Sequence, residues 1–233
     1  MKIMSFNTQH CRNYIEDFID YEIMANAIKD VGADIVGLNE MYNEGDRPQF
    51  RNQVGILSGM TGLGYYYFAK AIDVGDGNNP YGNGLISRYP IEEAQTVTVP
   101  DPEGKKGAYG YETRCLLKAK LQNGLNVLVI HFGLNNDEQI NAVKTVIENL
   151  PTEKTVLMGD FNVTPDDEVL APIRARLKDT ADLFSEERLS YPSDVPEKKI
   201  DYIFVTPDIE VVSADIPSIV ASDHRPHISE IVW

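Results

Sequence analysis

Cysteine is scarce in this 233-residue chain. Cys11 and Cys115 are the only two, which gives neither a disulfide framework nor a C-x-x-C metal knuckle. Histidine is scarce as well. His10, His131, His224 and His227 leave no room for a His-rich zinc cage. No run approaches the roughly 18 consecutive apolar residues that a membrane-spanning helix needs, so no insertion into a membrane is expected. Met1 to Asn7 read at once as a strand and hold no secretory h-region, so a cytoplasmic protein is expected. Positive charge is in deficit: 21 Lys and Arg stand against 36 Asp and Glu, a net charge of -15. A chain so acidic does not gather polyanions through its overall field. Internal repeats and Gly/Ser linkers are missing too, and 1–233 reads as a single domain of ordinary size.

Hydrophobic residues at 42% and charged residues at 24% fit a globular chain. Short strand-like runs recur at Lys2–Asn7, Asp34–Leu38, Tyr65–Ala69, Leu85–Ser87, Glu93–Val99, Arg114–Leu121 and Asn126–His131, then at Thr155–Met158, Tyr202–Val205, Ile209–Val212 and His227–Val232. Asn123-Gly124 is a hairpin signal between two of them. Ile23, Met24, Ala27, Ile28 and Val31 make an amphipathic stripe closed by Gly32. Phe50, Val54 and Leu57 suggest a second helix. Ile140, Val143, Val146, Ile147 and Leu150 mark a third, opened by Asn135-Asn136-Asp137 and stopped by Pro151. A weaker helical pattern spans Pro165–Leu177, interrupted by Pro172. Residues 73–84, rich in Gly and Asn, read as a surface loop. So many strands exceed one comfortable sheet, and the fold class is α/β, two packed sheets with helices outside.

The informative residues stand where strands stop. Asn7 and Glu40 end the first two. Asp160 and Asn162 follow Thr155–Met158, Asp201 opens Tyr202–Val205, and Asp223-His224 precedes the last. Each alone has an ordinary explanation, such as an Asx turn for Asp160-Phe161-Asn162 or a loop cap for Asn7. Together they suggest one site assembled where strand ends converge. Carboxylate and amide oxygens suit Mg²⁺ or Mn²⁺, and such an ion polarises a phosphoryl oxygen. Amides at Asn7 and Asn162 can donate to phosphate oxygens. Two histidine–carboxylate pairs are available for proton handling, His224 with Asp201 and His131 with Glu112. Cys11 and Cys115 read as buried small residues, His227 as core packing, Tyr65–Tyr67 as sheet packing, and Lys105-Lys106 and Lys198-Lys199 as solvated loop charge.

These residues resemble the endonuclease/exonuclease/phosphatase family, the deoxyribonuclease I-like phosphoesterases. The motifs S-F-N-T-Q-H (Ser5–His10), L-N-E (Leu38–Glu40), G-N-G-L-I-S-R-Y-P-I (Gly82–Ile91), E-T-R (Glu112–Arg114), V-I-H (Val129–His131), G-D-F-N (Gly159–Asn162), I-D-Y-I-F (Ile200–Phe204) and S-D-H-R-P (Ser222–Pro226) occur in the family's order. As a set they are specific, though each alone is weak. The resemblance implies a four-layer sandwich of two mixed sheets flanked by helices, and a divalent-metal phosphoesterase site. It places Asn7, Glu40 and Asp223 at the metal. It gives Asp160 the nucleophilic water, and Asn7 and Asn162 the phosphate. It sets Asp201 to orient His224, Glu112 to orient His131, and Arg114 to support substrate binding. Two departures stand out. Gln9 occupies a position where the family often carries Asp or Asn, which speaks against a second metal. His131-Phe132-Gly133 replaces the Tyr and Pro-Asn of the abasic-site repair branch, so abasic-site repair is not the expected activity.

Charge bears on the substrate. Neutralising Glu40, Glu112, Asp160, Asp201 and Asp223 still leaves an acidic chain, and no basic helix offers the contacts a long duplex wants. A small or lipid-head-group phosphoester is therefore favoured, hydrolysed by a monomer. A DNA or RNA nuclease of the same fold is the alternative. A non-catalytic binding module fits least, because no motif carboxylate or histidine is missing. A calcineurin-like metallophosphatase would need a G-N-H motif that the chain lacks.

Overall fold

Apolar runs flanked by polar residues become strands, and the 3.6-residue stripes become helices packed on them. A computed structural model describes residues 1–233. Its strands are β1 (Lys2–Asn7), β2 (Ile35–Tyr42), β3 (Tyr65–Asp73), β4 (Pro80–Ser87), β5 (Ile91–Thr98), β6 (Cys115–Leu121), β7 (Asn126–His131), β8 (Thr155–Asp160), β9 (Lys178–Asp179), β10 (Asp201–Val205), β11 (Glu210–Asp215) and β12 (His227–Val232). Its α-helices are α1 (Tyr21–Val31), α2 (Gln53–Thr61), α3 (Asn136–Asn149) and the short α4 (Ala171–Arg174). No helix is long and apolar enough to cross a membrane.

The strands form two six-stranded sheets, ordered β11-β12-β1-β2-β4-β3 and β5-β6-β7-β8-β10-β9. Each sheet holds one parallel pair, β1 with β2 and β7 with β8. Parallel neighbours need a crossover, and α1 and α3 supply it. Asp20 caps α1 by accepting from the Glu22 and Ile23 N–H groups, and Gly32 ends it in the left-handed region. One apolar core lies between the sheets, with Ile3, Ile35 and Leu85 meeting Val129, Val156 and Met158. A second joins α1 and α2 to the first sheet through Met24, Ile28, Val54 and Val36. A third joins α3 and α4 to the other through Val143, Val146, Ile173 and Leu157. The result is the expected four-layer sandwich. At Gly37 the sheets come so close that a Cβ would sit 2.6 Å from Met158 Sδ.

The structure departs from the sequence reading at several places. Residues 73–84 are not one surface loop, because β4 starts at Pro80 and is buried throughout. Its glycines answer close packing rather than turning: a Cβ on Gly82 would meet the Ala69 carbonyl oxygen at 2.0 Å. The helical pattern at Pro165–Leu177 shortens to a 3₁₀ turn at Glu168–Leu170 and the four residues of α4. Tyr65 and Tyr66 are exposed, and only Tyr67 packs on the core. Lys199 is buried beside Asp179, its Nζ 3.3 Å from the centre of the Tyr202 ring. Cys11 and Cys115 are buried and free, as expected, and His227 is buried against Thr180.

Candidate active site

Topology gathers the polar strand ends. In an open sheet the C-terminal ends of parallel strands form a natural crevice. Asn7, the end of β1, pairs in register with Asn39 of β2, and His131, the end of β7, pairs with Asp160, the end of β8. Antiparallel β10 begins where β8 ends, so Asp201 stands opposite Asp160. His224 lies just ahead of β12, whose first residue is opposite Ser5. Side chains up to 217 residues apart in sequence thus share one edge of the sandwich.

Local backbone then aims them. The β2–β4 register shifts between Leu38 and Met41, and Glu40 in that bulge has φ 62°. The left-handed region costs a glutamate on the order of 1–3 kcal/mol, and the bulge turns its carboxylate into the cleft. Asn162, with φ 52°, is held by its N–H donating to Asp160 Oδ1 (2.9 Å) and its amide donating to the Phe132 carbonyl (3.0 Å).

Asp160 is the hub, fully buried at the floor. Its Oδ2 accepts from Asn7 Nδ2 at 3.1 Å, faces His131 Nε2 at 3.4 Å and faces His224 Nε2 at 3.7 Å. Asn7 Nδ2 also donates to Glu40 Oε1 (3.1 Å), while its oxygen accepts from the Gln9 N–H (3.1 Å). The amide therefore presents its nitrogen to the site, because two carboxylates demand a donor there. His224 Nδ1 lies 2.8 Å from Asp201 Oδ2, the pairing expected from the sequence. The other expected pairing is replaced: Glu112 binds Arg114, and Arg114 Nη1 in turn reaches His131 Nδ1 at 3.2 Å. The cleft above has a volume of about 400 Å³. Glu40, Arg114, His131, Asp160, Asn162, Asp223 and His224 line it, together with Tyr109, Leu134, Tyr191, Lys198 and Ile200.

Burial and neighbouring charge set the protonation states. Burial, reinforced by Asp201, pushes the Asp160 carboxyl up to about 7 against the pull of His224. Burial alone would lower His224, but Asp201 and Asp160 outweigh it and raise it to about 10. Burial raises Glu40, and Asp223 adds to this, with the Asn7 amide opposing. Burial, then the Arg114 charge, hold His131 well below the usual imidazole range. The cleft thus contains a carboxylate base poised near neutrality, a cationic imidazole and a neutral one.

These raised values have a stability consequence. The favourable contribution of His224 is complete below its ordinary 6.5 and is lost as pH climbs through about 10. The Asp160 contribution is complete below 3.8 and is lost as pH rises through about 7. Between pH 6.5 and pH 8 these two groups dominate, because the depressed His131 and His227 act in the opposite sense below 6.5 and the depressed Lys199 above about 8. Metal-free protein is therefore expected to melt at progressively lower temperature across that window. Thermal unfolding in chelator followed by circular dichroism checks this. His224→Gln should flatten the curve in that window, and a melting temperature that rises between pH 6.5 and pH 8 would contradict these assignments.

Sequence reasoning missed Asn39 and Asn83. Asn39 Oδ1 accepts from the Asp160 N–H (2.9 Å), and its amide donates to the Ile130 carbonyl (3.0 Å) and Asn83 Oδ1 (2.8 Å). Asn83 donates to the Cys115 carbonyl at 2.9 Å. This buried amide brace ties the two sheets together beneath the site. The signal for Asn39 was an amide directly after the apolar run Ile35–Leu38 and directly before Glu40.

A group of one oxygen each from Asp160 and Asp201 and one nitrogen from His224, all within 4.8 Å, has the spacing of a metal site. The His224–Asp201 hydrogen bond already engages two of the three residues, and we read the trio as a hydrogen-bonded relay. Glu40 is different. Its one hydrogen-bond donor is the Asn7 amide, and Asp223 lies close enough to raise it further. Neither carboxylate has an ion-pair contact, His224 and Arg114 acting on Glu40 only from a distance, and such hard oxygen donors fit a hard divalent ion.

The Endonuclease/Exonuclease/phosphatase family model matches residues 4–224. No curated protein sequence matches the chain. Among solved structures, an endonuclease/exonuclease/phosphatase from Beutenbergia cavernae is similar at 20% identity and TM-score 0.79, over 99% of this chain and 71% of its own. An endonuclease/exonuclease/phosphatase from Bacteroides vulgatus is similar at 21% identity and TM-score 0.76, over 100% and 98%. A mannosyl-6-phosphatase from Bacteroides thetaiotaomicron is similar at 17% identity and TM-score 0.75, over the whole of both chains. At such identities the likeness is one of fold.

Proposed function

The chain belongs to the endonuclease/exonuclease/phosphatase family, whose members hydrolyse phosphoester bonds, and we propose that it is a Mg²⁺- or Mn²⁺-dependent hydrolase of small phosphoesters. The observation that carries the reading is Asp160: a buried carboxylate poised near neutral pH, with Asn7, His131 and His224 converging on one of its oxygens. Such a group can take a proton from water. Glu40 and Asp223 would hold the ion, with Asn7 fixing the Glu40 carboxylate. When bound, the ion supplies Lewis-acid polarisation of a phosphoryl oxygen.

In this reading Asp160 orients the attacking water and accepts its proton. The Asn162 amide holds a non-bridging phosphate oxygen. His224, kept cationic by Asp201, contacts another oxygen or supplies the leaving group with a proton. Arg114, anchored by Glu112, adds a fixed positive charge at the cleft wall.

The size of the substrate follows from what surrounds the site. The cations lining the cleft besides His224 are Arg114 and Lys198, too few to track a nucleic acid backbone. The structural likeness to a phosphatase of a sugar phosphate supports a small ester. The test is a panel of nitrophenyl phosphate, bis-nitrophenyl phosphate and sugar phosphates with Mg²⁺ or Mn²⁺, run beside plasmid nicking at low salt. Turnover of a small ester well above nicking is expected. Rapid nicking would replace the small substrate with DNA. Failure on every ester, with ligand binding intact in Asp160→Ala and His224→Ala, would make the chain a binding module.

A further inference from the structure

The partners of His131 fix its chemical form. Arg114 Nη1 lies 3.2 Å from His131 Nδ1. A guanidinium offers donors only and keeps its charge in proteins, so Nδ1 is the acceptor of that bond. The ring hydrogen then sits on Nε2. That nitrogen faces one acceptor, Asp160 Oδ2 at 3.4 Å, and one donor, Asn162 Nδ2 at 3.2 Å. Asp160 Oδ2 is the acceptor open to that hydrogen, at a separation longer than an ordinary hydrogen bond. Asn162 keeps one amide hydrogen on the Phe132 carbonyl and has its second free for the cleft.

The alternatives fail on the same contacts. A hydrogen on Nδ1 would point at the guanidinium. A doubly protonated ring would set two cations side by side in a buried site. Arg114 cannot easily swing away, because Glu112 binds it, and the Glu112 N–H donates to Glu138 in the first turn of α3 (3.3 Å). The groups facing the ring are thus Arg114 ahead of β6, Asp160 and Asn162 at the end of β8, and the imidazole of His224.

We propose that Arg114 locks His131 as the neutral Nε2–H tautomer, making His131 a hydrogen-bond donor that positions Asp160 rather than a group that exchanges protons with the substrate. The inference rests on the hydrolase reading above only for its catalytic consequence. Arg114 and His131 are in this sense positioning residues. The two histidines differ at Nδ1, which meets Arg114 in His131 and the Asp201 carboxylate in His224.

Long-range ¹H–¹⁵N spectra of the wild-type protein at neutral pH test the tautomer directly, with His131→Gln assigning the resonance. One histidine is expected to show a bare Nδ1 and a protonated Nε2. Arg114→Lys, which keeps a cationic donor, should preserve that pattern, and Arg114→Leu should lose it. An Nδ1–H tautomer or an imidazolium at His131 would overturn the proposal. This result needs no substrate, so it stands apart from any failure to find turnover. Kinetics supply the second arm. A general acid is worth about 10²–10⁴-fold, so a proton-transferring His131 would lose that much in both Gln and Ala variants. A positioning donor should keep His131→Gln within about tenfold of wild type, while His131→Ala, which lets Asp160 shift, should cost on the order of a hundredfold or more. Equal losses in the two variants would overturn the positioning role.

Discussion

Asp160→Ala is expected to lower kcat/KM by several orders of magnitude on any phosphoester the protein turns over, while the fold persists. Two effects combine. Loss of a general base costs about 10²–10⁴-fold. The substitution also strips a shared acceptor from Asn7, His131 and His224, and it frees the Asn162 N–H that holds the φ 52° turn. Four groups lose their common reference, and misplacement by about 1 Å alone can cost about a hundredfold. The fold should tolerate the change, because Asp160 belongs to none of the three apolar cores. Burial also opposes its charge, raising its carboxyl to about 7, so removing it deletes an unfavourable ionisation above that pH. Circular dichroism and thermal melting alongside kinetics separate the two outcomes. A loss under about tenfold would remove Asp160 from the role of base. A chain that no longer melts cooperatively would show that the carboxylate holds the floor together.

The sequence made the fold class, the two-sheet arrangement and the converging strand ends legible, for a physical reason. A polar group that ends a continuous apolar strand is displayed at a sheet edge by the geometry of the strand itself, and Asn7, Asp160 and Asp201 needed nothing more. Other features depend on what lies across a gap. Gly82 and Gly84 fall in the stretch that reads as a surface loop because glycine has two uses, and only the neighbouring Ala69 carbonyl and Val54 side chain show that close packing is the relevant one. Lys199 looked solvated because lysine usually is, yet Asp179 and the Tyr202 ring bury it. The partner of His131 was misjudged for a related reason. Glu112 and Arg114 stand two apart, so either could have faced the histidine, and only their mutual contact decides which one does. Asn39 and Asn83 carried a signal, but their role in bracing two sheets is a property of the pair.

Removal of divalent metal is expected to abolish turnover, and Mg²⁺ or Mn²⁺ to restore it. The argument is electrostatic. Glu40, Asp160, Asp201 and Asp223 crowd one cleft edge, and burial raises Glu40 and Asp160 because their charges lack full compensation. Arg114 is already engaged by Glu112, and His224 by Asp201. A bound cation relieves that repulsion, so it should stabilise the fold as well as activate it. A site filled at about a hundred times its Kd adds about 2.7 kcal/mol, read as a higher melting temperature in Mg²⁺ than in chelator. The stabilisation should grow as pH rises, because metal competes with protons for the raised carboxylates. Full activity in excess chelator would remove the metal from the mechanism. Glu40→Gln then locates it. The variant keeps the shape but removes one of the two carboxylate charges, Glu40 and Asp223, assigned to the ion, so it should need at least about tenfold more Mg²⁺ for half-activation, since lost ligand support commonly costs about 10- to 100-fold in affinity. Unchanged half-activation in Glu40→Gln, with a shift in Asp201→Asn instead, would move the ion to the Asp160–Asp201–His224 trio and make that group the metal centre rather than a relay.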